Sequence, residues 1–211
     1  MTNSNKKSRI IAALRKLYPY PKSELAFRNR YQMTVAVILS AQCTDKKVNQ
    51  ITPLLFSRFP SFAALAAASI SQVEKIIRPI NYYKTKSRSL IALAQIITEQ
   101  YSGRLPLLFE SLIELPGIGR KTANVILAET GIFALPVDTH VFRVAKRLGW
   151  AKAATPEKVE LELQALFERK LWRNLHHWLI LHGRRVCKAQ RPLCPQCSLA
   201  RYCPSAKTRR L

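Results

Sequence analysis

Two side chains in this sequence are spaced as a nucleophile and an assisting carboxylate would be. Lys121 directly follows the run Pro116-Gly117-Ile118-Gly119-Arg120, and Asp138 lies 17 residues further on. In water a lysine is almost wholly ammonium at pH 7, with roughly one molecule in 2,500 carrying the free amine. A neighbouring arginine and the positive end of a helix both favour the free amine. A lysine so placed can attack an aldehyde or acetal carbon to give a Schiff base, and C1′ of deoxyribose is such a carbon. The residues alone leave two plainer readings open: Lys121 as a phosphate contact without chemistry, and Asp138 as a helix cap.

A second constellation closes the chain. Cys187, Cys194, Cys197 and Cys203 fall within 17 residues with spacers of six, two and five, while Cys43 stands alone. Four cysteines this close point to a metal site rather than a disulfide framework. Zinc usually takes two Cys-x2-Cys knuckles, and only one such pair exists here. A cluster of four irons and four sulfurs accepts thiolates from irregular loops, so the spacing favours it, with zinc and disulfides as the alternatives. Lys188 and Arg191 lie in the first spacer, with Arg209 and Arg210 beyond the last cysteine. Such a cluster would shape a basic loop for phosphate contact rather than turn over a substrate.

The elements that must position these groups read as helices. Pro116 and Gly117 mark a turn, and Gly119 opens a helix to about Thr130. Glycine at 117 and 119 allows positive φ and leaves room for a ligand at the backbone. Amide groups at the start of the helix would then hold one phosphate of a DNA strand. That helix climbs about 16 Å, and the connector 131–137, extended over about 23 Å, can return Asp138 alongside it.

Residues 31–41 are apolar nearly all round, and their length favours a buried helix over a strand. The polar run Ser40-Ala41-Gln42-Cys43-Thr44-Asp45 follows, with Thr44 or Asp45 capping the next helix. Ser61 and Ser71 read as N-caps, Ser71 with Glu74 as a capping box. Thr155-Pro156-Glu157 is a cap with proline at the first helical position. His176 to Val186 is a helix leading into the cysteines. No convincing strand alternation appears, so the fold class is all-α.

The charge is lopsided, with 35 Lys+Arg against 12 Asp+Glu for a net +23. Such an excess favours a polyanionic partner, nucleic acid first. No apolar run approaches the roughly 18–20 residues of a membrane span. The polar N-terminus carries no signal-peptide core, which places the expectation in the cytoplasm, next to the nucleoid.

Taken together, these segments resemble the endonuclease III family, the iron–sulfur DNA glycosylases of the helix-hairpin-helix superfamily. The resemblance covers about residues 8–205. It rests on Leu-Ser-Ala-Gln at 39–42, Leu-Pro-Gly-Ile-Gly-Arg-Lys-Thr-Ala-Asn at 115–124 and Val-Asp-Thr-His-Val-Phe-Arg-Val at 137–144. His-His-Trp-Leu-Ile-Leu-His-Gly-Arg at 176–184 and the four spaced cysteines complete it.

The resemblance implies excision of oxidised pyrimidines from duplex DNA and strand cleavage at the abasic site. Lys121 would attack C1′ and hold the sugar as an imine, Asp138 would assist, and the four cysteines would bind a 4Fe-4S cluster. Gly117, Gly119 and Arg120 would grip phosphates, with Lys188 and Arg191 on the cluster loop as further contacts. Gln42 would fill the space left by the extruded nucleotide. His140 and Arg143 would line the site and face the DNA backbone.

The resemblance further implies a monomer of two helical lobes flanking a DNA-binding groove. One lobe, residues 23–133, would be a helical barrel with its helix-hairpin-helix at 112–130. The other, 1–22 plus 134–211, would carry the cluster loop at 187–203.

Two departures from the family pattern stand out. Asn81-Tyr82-Tyr83 replaces the family's usual Gly-Leu-Tyr or Gly-Phe-Tyr, so Tyr82 would take the part of the apolar wedge. Asn81 would then have to accept any positive φ the glycine supplied. Cys43 replaces a small residue. Three other readings compete: a non-catalytic helix-hairpin-helix DNA binder, the adenine-excising relative that lacks the hairpin lysine, and a zinc-stabilised basic RNA binder.

Overall fold

A computed structural model describes residues 3–207, which places Arg209 and Arg210 outside the described residues. The described chain is helical throughout, with no strand among those residues. In order the helices are α1 (Asn3–Leu17), α2 (Arg30–Ser40), α3 (Asp45–Arg58), α4 (Phe62–Ala66), α5 (Ile70–Ile77) and α6 (Tyr83–Gln100). They continue with α7 (Phe109–Ile113), α8 (Arg120–Glu129), α9 (Thr139–Leu148), α10 (Pro156–Leu166), α11 (Trp172–Arg185) and α12 (Pro204–Lys207). The chain divides into two compact units. Ser23–Ile132 forms a central unit, and the segments on either side of it form a terminal unit.

Helix α2 is the axis of the central unit. Met33 through Leu39 are buried without a break, so the all-round apolar pattern is that of an enclosed helix rather than a strand. It packs against α3, α6 and α8. Its start is capped by Asn29, whose side chain accepts from the Gln32 amide. Thr44 caps α3 in the same way through Lys47. The α5 cap is Ser69, not Ser71: the Ser69 hydroxyl accepts from the Gln72 amide and the Gln72 side chain returns to the Ser69 amide. Both serines have a polar residue three positions on, and the chain enters the helix two residues earlier than Ser71 and Glu74 implied.

In the terminal unit α1 contributes Ile10 and Leu14 to a core with Val141 and Val144 of α9 and Leu175, Trp178 and Leu179 of α11. Pro19 follows the end of α1. Immediately before it the Tyr18 carbonyl accepts from the Trp178 indole at 3.0 Å, tying the two ends of the sequence together. Thr155 and Pro156 start α10 as a cap and first-turn proline.

Candidate active site and cluster loop

The hairpin of the central unit is built from α7, a six-residue turn over 114–119 and α8. Gly117 sits at φ +82, where an L side chain is strained, and a Cβ there would come within 3.0 Å of the Ser89 Cβ on α6. Glycine is therefore required both by conformation and by the close approach of α6. Gly119 is the N-cap of α8 and has no side-chain cap. The first turn thus presents backbone amides and the positive helix end without a serine or aspartate over them. Arg120 and Lys121 are exposed on this turn, and the Arg120 guanidinium lies 5.1 Å from the centre of the Phe109 ring on α7.

Two further turns of the same unit meet. Gln42, just past the end of α2, has φ +54, and Tyr82, the N-cap of α6, has φ +59. Both residues are exposed. The positive φ falls on Tyr82 and not on Asn81. Asn81 does something else: its side-chain amide donates to the Gln42 carbonyl at 2.7 Å. Beneath this contact Lys86 of α6 is buried, and its ammonium donates to the carbonyls of Leu39 at 2.8 Å and Ala41 at 2.6 Å. Burial holds the Lys86 pKa below its ordinary value, while the nearby Cys43 acts in the opposite sense.

In the terminal unit Asp138 is the N-cap of α9, its Oδ1 accepting from the amides of His140 at 2.9 Å and Val141 at 2.8 Å. Both cap bonds end on one oxygen. Close by, Arg143 Nη2 donates to His140 Nδ1 at 3.0 Å. Burial is the main reason the His140 pKa is lowered; Asp138 raises it, and Arg143 and Arg184 lower it. The neutral ring with its proton on Nε2 fits that contact. Gly183 on α11 lets His140 sit this close, since a Cβ there would meet the His140 Cβ at 3.0 Å.

The four clustered cysteines line one small cavity whose other walls include Val144, Leu148, Val186, Pro192 and Leu199. None of them forms a disulfide. Among the described residues no three His, Cys, Asp or Glu side chains gather tightly enough to hold a single metal ion. The four thiols border a common space. Burial pushes the Cys197 thiol up, and Cys187, Cys203 and Cys194 push it the same way, so the sulfurs are close enough to interact.

Side-chain N–H groups stand against two of the sulfurs, beside backbone amides at Cys197 and Cys203. Arg147 Nη1 donates to Cys187 Sγ at 3.4 Å, and His182 Nε2 lies 3.5 Å from Cys197 Sγ. Burial lowers the His182 pKa to about 4, so the ring is neutral near pH 7. The Tyr18 hydroxyl lies 3.3 Å from Nδ1, and the tautomer in which it donates there carries Nε2–H toward the sulfur. A cavity lined by four thiols, with donors aimed at the sulfurs, suits a thiolate-bound iron–sulfur group.

With this geometry in view, residues 35–169 match the model of the HhH-GPD superfamily of base excision DNA repair proteins. Endonuclease III of Synechocystis is 43% identical over 94% of this chain and 91% of its own length. Endonuclease III of Rickettsia conorii is 44% identical over 93% of this chain and 94% of its own. A solved endonuclease III, trapped as a covalent intermediate with DNA in an estranged-adenine complex, superposes with a TM-score of 0.93. That match is 37% identical and covers all of both chains. The chain belongs to the endonuclease III family.

Within this family member, the structure distributes the sequence-predicted residues unevenly. Gly117, Gly119, Arg120 and Lys121 share one exposed turn, and Gln42 and Tyr82 sit on adjoining turns of the same unit. Lys188 and Arg191 are exposed on the cluster loop, Arg191 at φ +47. Arg143 is turned inward: besides His140 it donates to the carbonyls of Cys187 at 3.0 Å, Thr139 at 3.3 Å and Gly183 at 3.0 Å. It fastens α9 to the cluster loop.

Sequence reasoning missed Lys86, the donor role of Asn81, Arg147 and His182. Arg147 also donates to the carbonyls of Lys188 at 2.6 Å and Ala189 at 2.9 Å. His182 lies within the segment His176–Val186 that reads as a helix leading into the cysteines, and its ring faces a cysteine sulfur. Its position five residues before Cys187 on a predicted helix was the available signal.

Proposed function

We infer that this chain is a base excision repair DNA glycosylase with abasic-site lyase activity. The observation that carries the reading is Lys121, exposed one residue into a helix whose glycine N-cap leaves its amides to a ligand. The amides of the Gly117–Gly119 turn receive a DNA phosphate, and Arg120 adds charge beside it. The substrate is duplex DNA carrying oxidised pyrimidines or abasic sites, with the target nucleotide extruded from the stack so that C1′ becomes accessible. Gln42 and Tyr82 enter the space it leaves.

The Lys121 amine, once deprotonated, attacks C1′. The C1′–N bond breaks, its electron pair leaves with the base, and the base takes a proton. The attached nitrogen, now a secondary ammonium, gives up one proton. Its lone pair then forms the C1′=N bond as the C1′–O4′ bond breaks and O4′ takes a proton, giving a protonated imine. Loss of a C2′ proton then expels the 3′ phosphate by β-elimination. Asp138 is assigned the carboxylate's part: it takes a proton from the lysine or offsets the positive charge growing on the sugar.

Cys187, Cys194, Cys197 and Cys203 would hold a 4Fe-4S cluster. When bound, it supplies a cross-link among four points of a loop built only of turns and two short 3-10 helices. Lys188 and Arg191 on that loop face solvent as phosphate contacts. Arg143 and Arg147 act by holding the loop against α9.

The deciding experiment is borohydride reduction during incubation with duplexes containing an oxidised pyrimidine or a plain abasic site. A covalent protein–DNA adduct with the native chain, absent in Lys121→Gln, is expected. No adduct with the native chain would leave only a DNA-holding module. An adduct that persists in the variant would place the nucleophile elsewhere.

A further inference from the structure

The turn after α2 and the turn before α6 lie 39 residues apart in sequence, yet a side-chain hydrogen bond joins Asn81 to the Gln42 carbonyl. Each turn carries one exposed residue held at positive φ, Gln42 at +54 and Tyr82 at +59. For residues other than glycine this conformation is strained and persists only where surroundings enforce it. Here the enforcing groups are visible. Asn81 fixes the carbonyl of Gln42 itself, and Lys86 fixes the carbonyls of Leu39 and Ala41 on either side of Ser40. A buried ammonium bonded to carbonyls at the end of a helix also complements the negative end of its dipole. Neither Asn81 nor Lys86 has a part in the chemistry described above.

We propose that Asn81 and Lys86 are positioning residues that weld the two turns into one rigid probe of the base stack. Gln42 and Tyr82 then enter the duplex as a pair rather than as independent side chains. The inference rests on the reading of those two as the residues that fill the space left by the extruded nucleotide. Rigid placement moves an ordering cost from the moment of DNA entry to the folding of the protein. Losing the Asn81 bond would return that cost to the entry step, a penalty of about three- to tenfold for one hydrogen bond.

The test uses the full chain and a duplex with 2-aminopurine opposite a tetrahydrofuran abasic analogue, which cannot react with Lys121. Entry of the probe unstacks the 2-aminopurine and raises its fluorescence. The native chain is expected to give a rise whose rate falls about three- to tenfold in Asn81→Ala, while affinity for undamaged duplex changes far less. Asn81→Ala should slow a Gln42→Ala chain, and a Tyr82→Ala chain, less than it slows the native chain, because each of those chains carries only half of the probe that Asn81 holds together.

Three results would overturn the inference: an unchanged rate in Asn81→Ala, an equal loss of affinity for undamaged duplex, or penalties that multiply in the double variants. A native chain that binds the duplex without any fluorescence rise would instead sink the assignment of Gln42 and Tyr82 themselves. That outcome is separate from the fate of Lys121, which the analogue does not engage.

Discussion

The two units use positive charge in opposite ways. In the central unit Arg120 and Lys121 stand exposed on a helix start with no side chain capping it. In the terminal unit Arg143 and Arg147 turn inward, and between them they hold carbonyls of Thr139, Gly183, Cys187, Lys188 and Ala189. The cause is the backbone beneath them. In the hairpin the two cations stand on a helix start that no side chain caps, Arg120 also lying against the Phe109 ring. The loop after α11 folds through short 3-10 turns, and the carbonyls of Cys187, Lys188 and Ala189 at its start take guanidinium donors. A net charge of +23 is therefore no count of DNA contacts, since part of it is structural.

The sharpest way to break this contrast is to remove one key residue from each unit. Lys121→Gln should abolish the borohydride adduct and slow strand cleavage by at least about a thousandfold, with an unchanged melting temperature. Cys197→Ser should show the reverse order of damage: loss of bound iron and a lower melting temperature, with activity falling as the loop loosens. Equal melting-temperature losses in the two variants would erase the distinction.

Asp138 spans both kinds of role, and two substitutions separate them. Asn caps helices as well as Asp does, so Asp138→Asn should slow cleavage by roughly a hundredfold or more without loss of stability. Asp138→Ala should lose the same activity and a further cap energy of about 1 kcal/mol, read by denaturant unfolding. If Asp138→Asn cleaved at the native rate, the carboxylate would be only a cap.

The arginines sharpen the comparison next. Arg147→Ala should cost about 2 kcal/mol of stability through its carbonyl partners. Arg120→Ala should leave stability unchanged, weaken DNA binding and lower the salt slope by about one. The reverse pattern would mean the inward and outward cations had been assigned the wrong way round.

The smallest effect is with pH. His140 has its pKa lowered from 6.5 in the folded chain, so the unfolded chain binds the proton more readily. Stability is fully present above pH 6.5 and declines as the pH falls from there through the folded value. His140→Gln should flatten this part of a stability–pH curve.

What could be read from the sequence was what neighbours along the chain decide. The glycine opening of α8, Asp138 at the start of α9 and Thr155-Pro156 at the start of α10 are each fixed within one helical turn. The unbroken apolar run of α2 announced an enclosed helix because no face of it was polar.

Distant partners could not be read. Lys86 looked like one more cation in a basic stretch, since the carbonyls it serves lie 45 and 47 residues earlier. The positive φ was expected at Asn81 because glycine is usual there, yet the Asn81–Gln42 contact leaves it to Tyr82. Ser69 and Ser71 each have a polar residue three positions on, so local rules could not choose between them. Arg143 resembled a DNA contact until its four acceptors were in place.

Helix α6 begins at the Tyr82 turn and, six residues on, presses Ser89 against Gly117 of the hairpin. Along a helix those six residues measure about 9 Å and do not stretch. On the proposed reading, the helix is a ruler between the turns that would enter the duplex and the turn that would grip a phosphate. The nucleotide offered to Lys121 would then be counted off from that phosphate by a length built into the protein.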